Sequence, residues 1–81
     1  MKAYIDIKKD KTEARINIIG GFEVKDDLKA RGYRFTPGEV LDYATTQCVN
    51  GWKHEVAMAD AKNEMAWLAS KGIKSEQGIV Y

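Results

Sequence analysis

The run Ala3-Tyr4-Ile5-Asp6-Ile7-Lys8-Lys9-Asp10-Lys11-Thr12-Glu13-Ala14-Arg15-Ile16-Asn17-Ile18-Ile19 decides the fold class. Ile5 and Ile7 alternate with Tyr4, Asp6 and Lys8. Ala14, Ile16 and Ile18 alternate with Arg15 and Asn17. A period of two sends one set of side chains to a buried face and the other set to the opposite face of a strand. Lys9-Asp10-Lys11-Thr12 is polar and turn-like, so the two runs read as an antiparallel hairpin.

Gly20-Gly21 ends the second strand. A short helix follows, roughly Phe22 to Arg31, with Val24 and Leu28 one turn apart on its inner face. Gly32 stands where a helix wants a left-handed residue, and Tyr33 is then placed to touch Leu28. The last helix uses the same device. Asp60 suits the N-cap, the helix runs to about Lys71, Gly72 stops it, and Ile73 is placed to contact Leu68. Its apolar stripe is Met58, Ala61, Met65 and Leu68.

The middle has two readings. Thr36-Pro37-Gly38-Glu39 can open a helix as a capping box with proline in the first turn, or can form a Pro-Gly turn. Tyr43-Ala44-Thr45-Thr46-Gln47-Cys48-Val49 favours strand, Asn50-Gly51 is a two-residue hairpin signal, and Trp52-Lys53-His54-Glu55-Val56 alternates. Strand, turn and strand, with the turn at Asn50-Gly51, is the preferred reading, and residues 37–50 are helix in the other. Ile79-Val80-Tyr81 can add a final edge strand. The expected architecture is a two-layer α+β sandwich in the order ββαββα. An antiparallel sheet of hairpins carries both helices on one face.

The totals agree with one domain over residues 1–81. The composition is 44% hydrophobic and 31% charged, which is enough apolar surface to offset the entropy of ordering. A chain this short has a thin core, which favours binding over a surface rather than in a deep cleft. The lone cysteine, Cys48, cannot close an intramolecular disulfide, and neither a leader-like apolar segment nor a membrane-length run is seen. A reducing, cytoplasmic setting is expected. The net charge of +1 marks neither a nucleic-acid magnet nor a mimic of one. Residues 1–35 nevertheless hold nine basic against six acidic side chains, which can set a basic patch on one face.

Catalytic and metal chemistry find little material. One histidine, His54, and one cysteine, Cys48, do not make a zinc site, and a Cys–His nucleophile pair lacks an orienting third group. Asp26-Asp27 alternates with Lys25 and Lys29 on a solvated helix face. No cofactor and no enzymatic activity are expected. Two features point to binding. Aromatics interleave with cations: Tyr33, Phe35 and Trp52 lie near Lys25, Lys29, Arg31 and Arg34, the pairing by which single strands are stacked and held. The commoner use of such aromatics is core packing. Trp67 falls off the apolar stripe, beside Asp60 and Lys71. Either the C-terminal tail covers it or it is an exposed interface anchor.

The segment Val24-Lys25-Asp26-Asp27-Leu28-Lys29-Ala30-Arg31-Gly32-Tyr33-Arg34-Phe35, with Gly51-Trp52-Lys53-His54-Glu55-Val56 and Glu64-Met65-Ala66-Trp67-Leu68, resembles a small uncharacterised module found with exonuclease-like proteins of bacteria and phages. It is also loosely similar to the hairpin motif of HARP domains in DNA-annealing helicases. The match spans residues 22–72 and carries no catalytic residue. Residues 37–50 are a long insertion where the module has a tight turn, and Phe35 stands where Trp is commoner. The resemblance implies a nucleic-acid-processing context. The expected function is a non-enzymatic module that binds nucleic acid, single-stranded by preference. The alternative is a small phage or mobile-element inhibitor, anti-CRISPR-like, that docks on a host protein complex.

Overall fold

The computed structural model describes residues 1–81. Five strands, β1 (Lys2–Ile7), β2 (Glu13–Ile19), β3 (Arg34–Asp42), β4 (Gln47–Ala57) and β5 (Lys74–Val80), form one sheet in the order β3-β4-β2-β1-β5. Helices α1 (Lys25–Arg31) and α2 (Ala61–Ser70) each follow a 3₁₀ turn, Phe22–Val24 and Met58–Asp60. Both helices lie on one face of the sheet, so the architecture is the expected two-layer α+β sandwich. No helix is long and apolar enough to cross a membrane.

The β1–β2 hairpin forms in the register its alternation dictates, with Ile5 opposite Ile16 and Ala3 opposite Ile18. Those residues face the helices and join Ala14, Leu28, Tyr33, Trp52, Ala61, Leu68 and Ile73 in the core. Burying a side chain the size of Leu28 or Ile16 contributes roughly 1.5–3 kcal/mol. Asp10 turns the hairpin by accepting hydrogen bonds from the Thr12 amide (3.0 Å) and hydroxyl (2.6 Å), while Lys11 takes a positive φ of 62°.

Both helix stops form as read. The Tyr33 amide reaches the Leu28 carbonyl (2.9 Å) past Gly32 at φ 102°, and the Ile73 amide reaches that of Leu68 (3.0 Å) past Gly72 at φ 77°. The start of α2 differs from expectation. Asp60 occupies the N-cap position but its side chain caps nothing, because the preceding 3₁₀ turn already leads into the helix. The buried stripe of α2 is Ala61, Glu64 and Leu68, whereas Met65 is exposed. Glu64 tolerates burial because Arg31 and Tyr33 bond to it.

The C-terminal strand departs from the all-antiparallel plan. β5 pairs parallel with β1, through the crossover that α2 makes after β4. The chain order is therefore ββαββαβ, with a mixed sheet.

The middle is strand, turn and strand, but its turn is not where the dipeptide signal lies. Asn50-Gly51 sits inside β4, and the chain reverses at Tyr43–Thr46. There the Asp42 carboxylate accepts from the Ala44 amide (3.0 Å), the Asp42 carbonyl accepts from the Thr46 amide (2.7 Å), and Thr46 takes φ 59°. Gly51 serves packing instead, because a Cβ there would meet the Ile18 carbonyl and lie 2.9 Å from Val40. Between Thr36 and Val40 the β3–β4 register slips, as four steps of β3 oppose two of β4. Gly38 (φ 65°) donates its amide to the Asn50 side chain (2.7 Å) at that bulge. Bulges bend and twist a hairpin.

This bend carries the hairpin tip over the helix-free face. Tyr43 reaches Asp6 on β1, and the Tyr4 hydroxyl donates to Asp42 (2.9 Å). That hydroxyl, first, and the Ala44 amide hold the Asp42 carboxyl below its ordinary range. Asp6 is wholly buried. It accepts hydrogen bonds from Arg15 Nη2 (3.0 Å), Asn17 Nδ2 (2.8 Å), the Tyr43 hydroxyl (3.0 Å) and the Ile79 amide (3.0 Å). Burial, then the Asp6 carboxylate, push the Tyr43 hydroxyl up, so it remains a donor.

Candidate nucleic-acid interface

The residues singled out from the sequence separate into three groups. The first is a clasp between the helices. Glu64 accepts from Arg31 Nε (3.0 Å) and the Tyr33 hydroxyl (3.3 Å). The Arg31 guanidinium lies 4.7 Å from the centre of the Trp67 ring, Lys71 Nζ lies 5.8 Å from it, and Tyr33 stacks on it at 6.2 Å. Lys71 also pairs with Asp27 (3.4 Å). Cations over an indole face are attracted by its quadrupole. Trp67 is therefore half-buried against Tyr33 and two cations, whereas the tail runs along β1 as β5, so neither sequence alternative describes it. Arg31, Tyr33, Glu64 and Trp67, all within the motif quoted above, spend their chemistry on joining α1 to α2. Asp60, expected beside Trp67 at an interface, is exposed at the far end of α2.

The second group is the aromatic set. Tyr33 is 3% and Trp52 2% exposed, so neither can stack on a base as it stands. Both fill core positions, Trp52 because β4 turns that face toward the helices and Tyr33 because it follows the Gly32 stop directly before β3. Phe35 is different. It lies on the free edge strand, 42% exposed, beside Phe22 at 50%. The two rings meet edge-on at 5.6 Å, and Phe35 meets Trp52 at 5.3 Å. Phe22 was not singled out from the sequence; its place directly after Gly20-Gly21 at a helix start is the one signal it offers.

The third group is cationic. Arg34 and Lys53 stand directly opposite each other on β3 and β4, facing away from the helices. Neither has an acidic side chain within ion-pair distance. Like charges in that position repel. They border a polar cleft of about 550 Å³, lined also by Arg15, Thr36, Glu39 and Glu55. Arg15 is engaged by Asp6 (3.0 Å) and lies 4.1 Å from the centre of the Tyr81 ring. Lys53 was missed because its opposition to Arg34 depends on the register across the insertion, which the position of the turn decides. Lys25 and Lys29 are exposed on α1, in the other layer from Arg34.

His54 packs on Tyr33 with ring centres 4.8 Å apart, and Cys48 is exposed nearer the tip of the same strand. Six residues of strand separate them by roughly 20 Å, so they do not converge. No family model matches the chain, and neither a curated protein nor a solved structure does.

Proposed function

We propose that the protein is a non-enzymatic module that binds single-stranded nucleic acid along the β3 edge, in the processing context that the resemblance of residues 22–72 implies. The carrying observation is the Arg34–Lys53 pair: two cations held side by side on a sheet, neither in an ion pair although Glu39 and Glu55 line the same cleft, which is open to solvent. A phosphate seated between them would relieve their repulsion, with a charge-assisted bond to the Arg34 fork. Phe35 and Phe22 on the other side of the same edge strand offer the apolar rings that bases stack on. The exposed, unpaired Cys48 is consistent with the cytoplasm in which we place the protein.

Fluorescence anisotropy of a labelled single-stranded oligonucleotide at several salt concentrations tests this reading. With that one phosphate neutralised, log K should fall with log salt at a slope of about −0.7. Arg34→Glu with Lys53→Glu should abolish binding. No binding at low salt, a flat slope, or an unaffected double variant defeats the proposal.

A second reading rests on the exposed apolar side chains Phe22, Phe35 and Leu41. Such a surface suits a protein partner, as in a small inhibitor of phage or mobile-element origin acting on a host complex. Its anchor would be Phe35 rather than Trp67. A stoichiometric host partner, recovered by wild type in high salt and lost by Phe35→Ser, would favour it over nucleic acid.

A further inference from the structure

Trp52 carries a buried donor without a partner. Its ring is almost wholly enclosed, yet the indole Nε1–H has no acceptor. Buried polar groups are normally paired, and an orphaned donor gives up its hydration for nothing. The other such group is the Ser75 hydroxyl, beside a small apolar hollow under Met65, where a single water would suffice. Trp52 is placed differently. The Cδ1 atom, next to Nε1, lies 3.4 Å from where a side chain on the buried Gly21 would begin, a position that Leu28 (3.0 Å) and Ile18 (3.3 Å) also border. The polar edge of the indole thus runs beneath the Gly21–Phe22 segment.

Two half-exposed rings flank the indole on its solvent side. Phe22 and Phe35 meet the indole edge-on at 6.3 and 5.3 Å, and each is about half exposed. Phe22 belongs to a short 3₁₀ turn with no side-chain cap. Gly20 and Gly21, both near φ +82°, precede it, and Gly21 places no side chain against Trp52. The covering ring can swing aside without breaking a hydrogen bond of its own side chain.

From these contacts we infer that Phe22, Phe35 and Trp52 form a nucleobase subsite. One base of a single strand packs against the two phenyl rings and accepts the Trp52 Nε1–H bond through a carbonyl oxygen on its edge. The choice of a nucleobase follows from charge complementarity: Arg34 and Lys53 adjoin Phe35 and Trp52 in sequence, on the opposite face of the same two strands. A phosphate chain at the cleft can therefore send a base around the free β3 edge. Thymine and uracil, with two in-plane carbonyls, fit best; adenine has none. The inference rests on the nucleic-acid reading above and adds its recognition element.

The test is a ¹⁵N–¹H titration of the labelled 81-residue chain. Its two tryptophans give two indole signals, assigned with Trp52→Phe. Short oligothymidylate at low salt should move the Trp52 indole signal downfield and slow its exchange with water, while that of Trp67 stays in place. Oligodeoxyadenylate should bind less tightly and shift Trp52 less. Phe22→Ala should weaken thymidylate binding by about tenfold, the loss of one stacked ring. If oligonucleotide binds with the expected salt slope but the Trp52 indole does not move, the subsite is wrong and the nucleic-acid reading stands. If nothing binds, both fall.

Discussion

Gly51 lies inside β4, where the neighbouring strand and Val40 leave no room for a side chain. Next to Asn50 it is the strongest two-residue turn signal in the chain, because both types tolerate positive φ. In the folded protein Gly51 is an extended strand residue, chosen for its missing side chain. The Ile18 carbonyl and Val40 occupy the space a Cβ would need. Gly51→Ala should therefore cost about 2–3 kcal/mol in a urea melt, the upper part of the range for overfilling a packed site. Gly38→Ala, with open space around it and only its φ of 65° to resist, should cost about 1 kcal/mol. Equal losses would show that Val40 and the neighbouring strand give way, and that lack of room is not what demands glycine at this position. A local pattern cannot separate these uses, since both demand the same amino acid.

At the scale of elements, the sequence is legible where its codes are complete within a few residues. The Leu28–Tyr33 and Leu68–Ile73 hydrogen bonds across Gly32 and Gly72 are made by the residues whose spacing announced them. The β1–β2 register follows from alternation alone. Codes completed by distant residues were missed. Glu64 looks like a surface acid on α2 until Arg31 and Tyr33 arrive from the other helix and β3. That junction has an alkaline signature. Burial, then the Glu64 charge and hydrogen bond, push the Tyr33 hydroxyl well above its ordinary 10.0. A group whose pKa rises on folding lends stability that is whole below its unfolded value and is lost as pH climbs past it. Stability should thus decline above about pH 10, and the decline should be shallower in Tyr33→Phe, which has no proton to lose there. Denaturant melts of the two proteins across that range decide the matter; parallel curves would mean Tyr33 ionises freely in the folded state.

For the whole molecule, the decisive residue is Asp6, which binds β2 through Arg15 and Asn17, the hairpin tip through Tyr43 and β5 through the Ile79 amide. β5 bulges there, and Gly78 lies against the carboxylate, where no side chain would fit. Asp6→Ala should lower stability by about 3–5 kcal/mol, the range for a broken buried pair. It should also speed hydrogen exchange at the Ile79 amide more than at Ile16. Unchanged protection at Ile79 would show that β5 is held by strand pairing alone. The amino-acid order by itself determined the fold class, the first hairpin, both helices and their stops, because alternation, helical spacing and glycine stops act over a handful of neighbours. Only the tertiary structure decided that β5 runs parallel to β1, that the second hairpin arches over Asp6, and which aromatics remain in the open. Those outcomes depend on register between strands far apart in the chain, and a slip of one position turns every side chain to the other face. Arg34 and Lys53 face each other, and Trp52 lies under Phe22, for that reason.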